Sequence, residues 1–296
     1  MGFGIVMGLL ASASWACANV FIQRASRALG PFRALVWALF SGGMALLPAA
    51  LALDHRTAPL ATPLAGWLVL AALAAVLAYT SMFFAFARGR LSVVVPVMSS
   101  WSVIATAISL VVLGETLRRA QLAGAAAVVV GVLVIARFAQ RGAQPPAGDG
   151  GEKTGPSASN RSAVGMSALT ALGFGILIPS IDRLAPALGH LGAVSAVLLV
   201  DVVLWLPVAA VARFDIRPPS RGTWPLVLAA GAFETLGFVW ISLGIARAPV
   251  AVVSPFAGLS SAFTVLYAWV ALGERPPRPV LAGAVLVCAG VVMLSL

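Results

Sequence analysis

Residues 113–125 read LGETLRRAQLAGA, and residues 272–284 read LGERPPRPVLAGA. The two stretches lie 159 positions apart, and the same offset goes on finding matches on both sides without a gap. Upstream, Ala87-Arg88 falls on Ala246-Arg247, Val93-Val94 on Val252-Val253 and Pro96 on Pro255; downstream, Gly131 falls on Gly290. Farther out the offset pairs Arg24 with Arg183, and Ala28-Leu29-Gly30 with Ala187-Leu188-Gly189. Shared composition does not hold one register over such a distance, so the chain is an internal duplication.

The duplicated unit is apolar throughout. Of 296 residues, 61% are hydrophobic and 9% charged, and the mean hydropathy is +1.03. An ordinary soluble domain carries about 25% charged residues. So little polar surface excludes a soluble enzyme and a disordered tail. A membrane span needs ~20 mainly apolar residues, and the expected spans are 3–22, 33–53, 64–86, 91–113, 119–137, 162–181, 191–212, 223–246, 250–272 and 279–296.

Residues 139–161 (AQRGAQPPAGDGGEKTGPSASNR) are rich in Gly, Pro, Ala and Ser, with no hydrophobic periodicity. They read as a flexible linker between a first five-helix repeat, 1–138, and a second, 162–296. Five is odd, so the second copy enters the membrane with the opposite orientation. The expected fold class is therefore an all-α integral membrane protein, with ten transmembrane helices arranged as two inverted five-helix repeats. Many secondary transporters are built this way: substrate binds near the midplane between the repeats, and the halves exchange roles to give alternating access.

The residues that recur also resemble a family. Pro96 and Pro255 in the fourth helix of each copy, the Leu-Gly-Glu that closes it (Gly114-Glu115, Gly273-Glu274), and the Gly-rich fifth helix are similar to the EamA-type branch of the drug/metabolite transporter superfamily. Trp15 and Asn19 in the first helix, followed by Gln23-Arg24, fit the same pattern. The resemblance covers both halves. It implies export of amino acids or other metabolites, with import or exchange by some members. Many members carry an Arg inside the second helix; this chain has none there, only Trp37 nearby, so no role is carried over for it.

Nineteen Lys and Arg face nine acids, a net charge of +10, and Lys153 is the single lysine. The basic residues fall in short interhelical loops, which reads as membrane topology and not as nucleic-acid binding. Alternate connections hold 14 and 5 of them, which places both termini outside and the linker in the cytoplasm. The resemblance implies the reverse, both termini inside. Arg in place of Lys, with abundant Ala and Gly, fits a high-GC bacterial genome and hence a multi-pass protein of the bacterial inner membrane. The first apolar run leads straight into a span without a basic region before it, so no cleavable signal peptide is expected.

Only two acids fall near mid-span, Asp201 and Glu234; their repeat equivalents are Gly42 and Ala75. No Lys or Arg lies at comparable depth, and desolvation disfavours the carboxylate form. Charge in hydrocarbon costs ~2.5–3.5 kcal/mol on insertion scales, which makes such acids functional candidates. They are expected to couple protons or to hold a cationic substrate group; the plain alternative is a protonated acid bonded to a neighbouring helix or facing a water-filled vestibule. Trp15, Asn19, Tyr79, Trp101, Trp240 and Tyr267 lie within spans and are expected to line the cavity, where aromatic walls take apolar, aromatic or cationic solutes. Helix packing or lipid contact is the other account of each.

Pro96 with Ser99, Ser100 and Ser102, and Pro255 with Ser254, Ser260 and Ser261, are expected to form irregular helices beside that cavity, since proline leaves a carbonyl without its helical partner. A kink without substrate contact is the alternative. Glu115 and Glu274, at helix ends, are expected to hold the interhelical turn, or else to gate or bind. Gly124 and Gly131, like Gly283 and Gly290, share one helix face, which suits close packing between the halves of a monomer over a homodimer contact.

Other chemistries are poorly served. His55 and His190 lie in loops, so no Ser-His dyad or His metal cluster forms at depth. Cys17 and Cys288 have no Cys-x-x-Cys spacing. Gly148 to Thr154 fails as a phosphate loop because Glu152 occupies the glycine position before Lys153. The expected function is a secondary active transporter, an exporter of small organic metabolites (amino acids or amphipathic or cationic compounds), with no cofactor or metal. Its partners are a small-molecule substrate, the lipid bilayer and protons. An uncoupled facilitator or exchanger, or a lipid-headgroup flippase component, is the alternative.

Overall fold

The computed structural model describes residues 2–53, 62–89, 91–116, 118–139, 158–264 and 278–295. Every regular element among the described residues is helical: α1 (Gly2–Leu29), α2 (Pro31–Leu53), α3 (Thr62–Arg88), α4 (Leu91–Met98), α5 (Trp101–Val111), α6 (Arg119–Ala139), α7 (Ala158–Leu188), α8 (His190–Ala212), α9 (Trp224–Ile245), α10 (Val250–Ala257), α11 (260–264) and α12 (Arg278–Ser295). Among the described residues, six helical stretches are long and apolar enough to cross a bilayer: Gly2–Leu29, Pro31–Ala52, Leu64–Arg88, Ser162–Leu188, His190–Val211 and Trp224–Ile245. Shorter apolar helices cover Trp101–Val111, Arg119–Gly131 and Val250–Thr264.

Helix bounds repeat with the sequence register. α2 and α8 start and stop 159 residues apart, and so do α4 and α10. Gly30 and Gly189, equivalent in the two copies, close α1 and α7 with φ of 85° and 78°. The next helix begins one residue later in each case, a corner that a residue without Cβ turns at no steric cost. α1 runs to Leu29, beyond its apolar stretch, because its last turns are docked: Gln23 Nε2 and Arg27 Nη2 donate to the Gly89 carbonyl at 3.1 and 2.8 Å.

The stretches expected as spans 91–113 and 250–272 each hold a break. α4 ends at Met98 and α5 starts at Trp101; α10 ends at Ala257 and α11 starts at 260, the equivalent place. Tight bonds replace the regular ladder there, Ser100 N to Val97 O at 3.3 Å, Ser102 N to Ser99 O at 3.3 Å and Leu259 N to Phe256 O at 3.2 Å. Proline three residues before each break weakens the preceding turn. Serine hydroxyls add to it by bonding back to backbone, Ser100 Oγ to Val97 O at 2.7 Å and Ser102 Oγ to Ser99 O at 3.1 Å.

The halves interleave. α1 packs along α9 and α3 along α7, two pairings that are images of one another under the repeat, while α2 lies on α8 and α9, and α5 on α10. α6 and α12 pack together, with Gly124, Gly131, Gly283 and Gly290 buried and Leu122, Val130, Leu281 and Val285 exposed. Small residues let the two backbones close up where lipid offers no hydrophobic drive. Around the outside, Val69, Leu73, Val203 and Val211 expose most of their apolar surface, which suits contact with acyl chains.

Candidate functional site

A small cavity lies where α1, α3, α4, α7 and α9 meet the two helix breaks. Trp15, Asn19, Ser99, Trp101, Glu234 and Ser260, all expected from sequence, line it together with Met82, Val95, Met98, Phe174, Ile178 and Phe238, which were not. Two of the unforeseen residues are repeat partners of expected ones: Phe174 of Trp15 and Ile178 of Asn19. Applying the offset to the expected residues is the signal that would have found them.

Trp15 is the hub. Its indole meets Trp101 edge-on at 5.6 Å and 88°, and Phe238 at 5.2 Å and 73°. Nε1 donates to the Glu234 backbone carbonyl at 3.3 Å. The ring rests on α9 over Gly237, where a Cβ would lie 2.4 Å from Nε1. One turn on, Asn19 Nδ2 donates to Thr264 Oγ1 at 3.4 Å, and that hydroxyl donates to the Ser260 carbonyl at 2.7 Å, which ties α1 to the segment after the second break.

Glu234 projects from α9 and is 4% exposed, the single ionisable group among the lining residues. The site thus offers one carboxylate, two hydroxyls, one amide and four aromatic rings. A cation meets both a counter-charge and ring faces there; an anion meets no basic side chain among the described residues.

The other expected residues lie elsewhere. Asp201 on α8 is fully buried outside the cavity, and neither carboxylate oxygen has a hydrogen-bond partner among the described residues. Tyr79 forms the layer behind the wall, edge-on to Phe174 at 5.2 Å; its buried hydroxyl faces the Glu234 carboxylate and lies within electrostatic reach of Asp201. Trp240 is half-buried against the core. Ser254 is buried with an unpartnered hydroxyl, and Pro255 borders a separate groove with Ser102, Thr106, Ala125 and Val129. Pro96 falls within α4. Tyr267, Gly273 and Glu274 lie outside the described residues.

Gly114 takes φ 73° just past α5, and Glu115 reaches beyond its own turn: its two carboxylate oxygens accept the backbone N–H groups of Val250 and Ala251, each at 2.9 Å. The expectation that it holds a local turn missed this contact, because it joins residues 135 and 136 positions apart.

Among curated proteins, none matches this chain in sequence. A solved structure, known simply as a crystal structure of a protein, is similar over 98% of this chain and 94% of its own, with a TM-score of 0.70 and 20% identity. At that identity the likeness is one of fold. The model of the EamA-like transporter family matches twice, over residues 2–137 and 161–296, once for each copy of the duplication. With nearly the whole length matched, the chain belongs to the EamA-like transporter family, membrane transporters of the drug/metabolite transporter superfamily.

Proposed function

We propose that this protein is a secondary active exporter of small organic cations with an apolar or aromatic body, working by alternating access across a bacterial inner membrane. Ten spans in two inverted repeats form its frame, and it acts as a monomer. The observation that carries the substrate class is the Glu234 carboxylate inside an aromatic cavity with no basic residue on its wall among the described residues. A cation in that place supplies the missing counter-charge and gains cation–π contacts with Trp15 and Trp101. Glu234 exchanges the substrate for a proton, and Asp201, with both carboxylate oxygens unpartnered among the described residues, is the second proton-carrying acid.

The test is substrate-evoked proton movement in proteoliposomes, with pools of amine cations, aromatic compounds and amino acids. Proton movement with an amine pool in the wild type, lost in Glu234→Gln, supports the reading. Amine flux that continues unchanged in Glu234→Gln and in Asp201→Asn, with no proton movement, makes the protein a facilitator or exchanger. A response to neutral or anionic pools alone overturns the substrate class.

A further inference from the structure

We infer that Glu115 is a conformational clamp: its carboxylate holds the outer end of α10 to the end of α5, and it releases when the transporter opens on that side. The inference rests on the alternating-access reading and is independent of the substrate.

The local chemistry explains how the clamp is built. α5 ends with Val112 N bonded to Ile108 O at 2.7 Å, and Gly114 turns the chain through the left-handed region, so that Glu115 N returns to Ser109 O at 3.1 Å. That bond anchors the Glu115 backbone to α5 and aims its side chain at the other half of the molecule. At α10, Pro249 supplies the carbonyl for Val252 N and Val253 N, at 3.0 and 3.1 Å. Val250 and Ala251 are left with the unpaired N–H groups that every helix start exposes, and the carboxylate takes both. A charge-assisted pair at the positive end of a helix is among the stronger contacts available to a backbone.

Its placement is what makes it a device. All eight residues of α10 are buried, and the helix stops at the break that delivers Ser260 to the cavity. At its outer end, a short turn joins α10 to α9, which carries Glu234. Glu115 therefore grips one end of a rod whose other end borders the cavity. The same first-half turn is held from the second half by Arg183 Nη2, which reaches the Leu113 carbonyl at 3.5 Å. A carboxylate bound only to backbone N–H groups can let go into water without leaving a buried side chain unpaired. An inter-half contact built from apolar packing would not have that property.

The experiment uses the full-length protein in proteoliposomes with Cys17 and Cys288 replaced by alanine. One reporter, Ser254→Cys, lies one turn inside the clamped end of α10; a second, Ser167→Cys, is buried in α7. Labelling by a membrane-impermeant maleimide is timed without substrate. We expect Glu115→Ala to speed labelling at position 254 by at least tenfold and leave position 167 unchanged. Glu115→Gln, whose amide oxygen accepts while its nitrogen cannot, should fall between.

Wild-type labelling at 254 in both variants overturns the clamp. Equal acceleration at 254 and 167 also overturns it, because the carboxylate is then an ordinary fold contact. Substrate flux in the wild type is measured on the same vesicles, so a failure of the transport reading is seen separately from a failure of the clamp.

Discussion

The Trp15 indole lies on Gly237 so closely that the glycine hydrogen occupies the last free space between α1 and α9, and its N–H reaches the Glu234 carbonyl one turn away at 3.3 Å. The cavity wall thus depends on an absent side chain. Gly237→Ala would put a methyl 2.4 Å from Nε1 and 2.6 Å from Cδ1 of Trp15. Overpacking of this kind costs ~1–3 kcal/mol, and we expect a drop of several degrees in melting temperature with a shift in tryptophan fluorescence. Trp15→Phe in the same chain should restore part of the stability. Loss in the double variant equal to the sum of the single losses would show that the two positions are not coupled.

Glu234→Gln removes the one charge in the cavity while keeping its shape. Hydrogen bonds to charged groups contribute about 1.5–3 kcal/mol, so binding of an amine cation to the purified protein should weaken by roughly 10–100-fold. A neutral compound of the same shape should bind as before. Equal losses for both ligands would mean that the glutamate shapes the wall and does not pair with charge.

Asp201 is fully buried with both oxygens unpartnered among the described residues, and so is the Trp205 indole nitrogen one turn along α8. Burying a polar group without a partner costs ~1–3 kcal/mol by protein mutational data. We expect Asp201→Val to raise the melting temperature while abolishing the proton movement assigned to this acid. A lower melting temperature for Asp201→Val and Asp201→Asn alike would reveal a water or ion satisfying the carboxylate.

On the face where α2 begins, Arg33 straps the 213–222 loop. Its Nε donates to the Arg217 carbonyl at 2.7 Å, Nη2 donates to the Pro218 carbonyl, and Nη1 meets Asp215 at 3.4 Å, while Trp37 Nε1 donates to Ile216 O at 3.1 Å. The ion pair is exposed and worth ~0–1 kcal/mol, so the backbone bonds carry the strap. Arg33→Lys, with no planar fork, should lose most of them. The readout is tryptic cleavage after Arg213, faster in Arg33→Lys and Arg33→Ala than in the wild type, with global melting little changed.

Much of this was legible in the chain itself. One register of 159 residues tied Pro96 to Pro255 and Gly30 to Gly189, and the bounds of α2 and α8, those of α4 and α10, and both breaks follow that register. Membrane sequences are readable in this respect because backbone polar groups in lipid must be satisfied within the helix. Spans, corners and proline breaks therefore leave local marks. Polar and aromatic residues inside spans stand out for the same reason, and Trp15, Asn19, Ser99, Trp101 and Glu234 were found by it.

The tertiary structure decided the rest. Asp201 and Glu234 have similar depth and similar neighbours in sequence, yet one lines the cavity and the other does not. That choice depends on how each helix is rotated, and an all-round apolar helix carries no stripe to reveal its rotation. Phe174, Ile178 and Phe238 went unnoticed because an apolar side chain on a cavity wall looks like one in lipid. The grip of Glu115 on Val250 and Ala251 was beyond reach for a different reason: it recognises backbone N–H groups, which every residue but proline possesses, and only the packing of α5 on α10 brings those two within 2.9 Å.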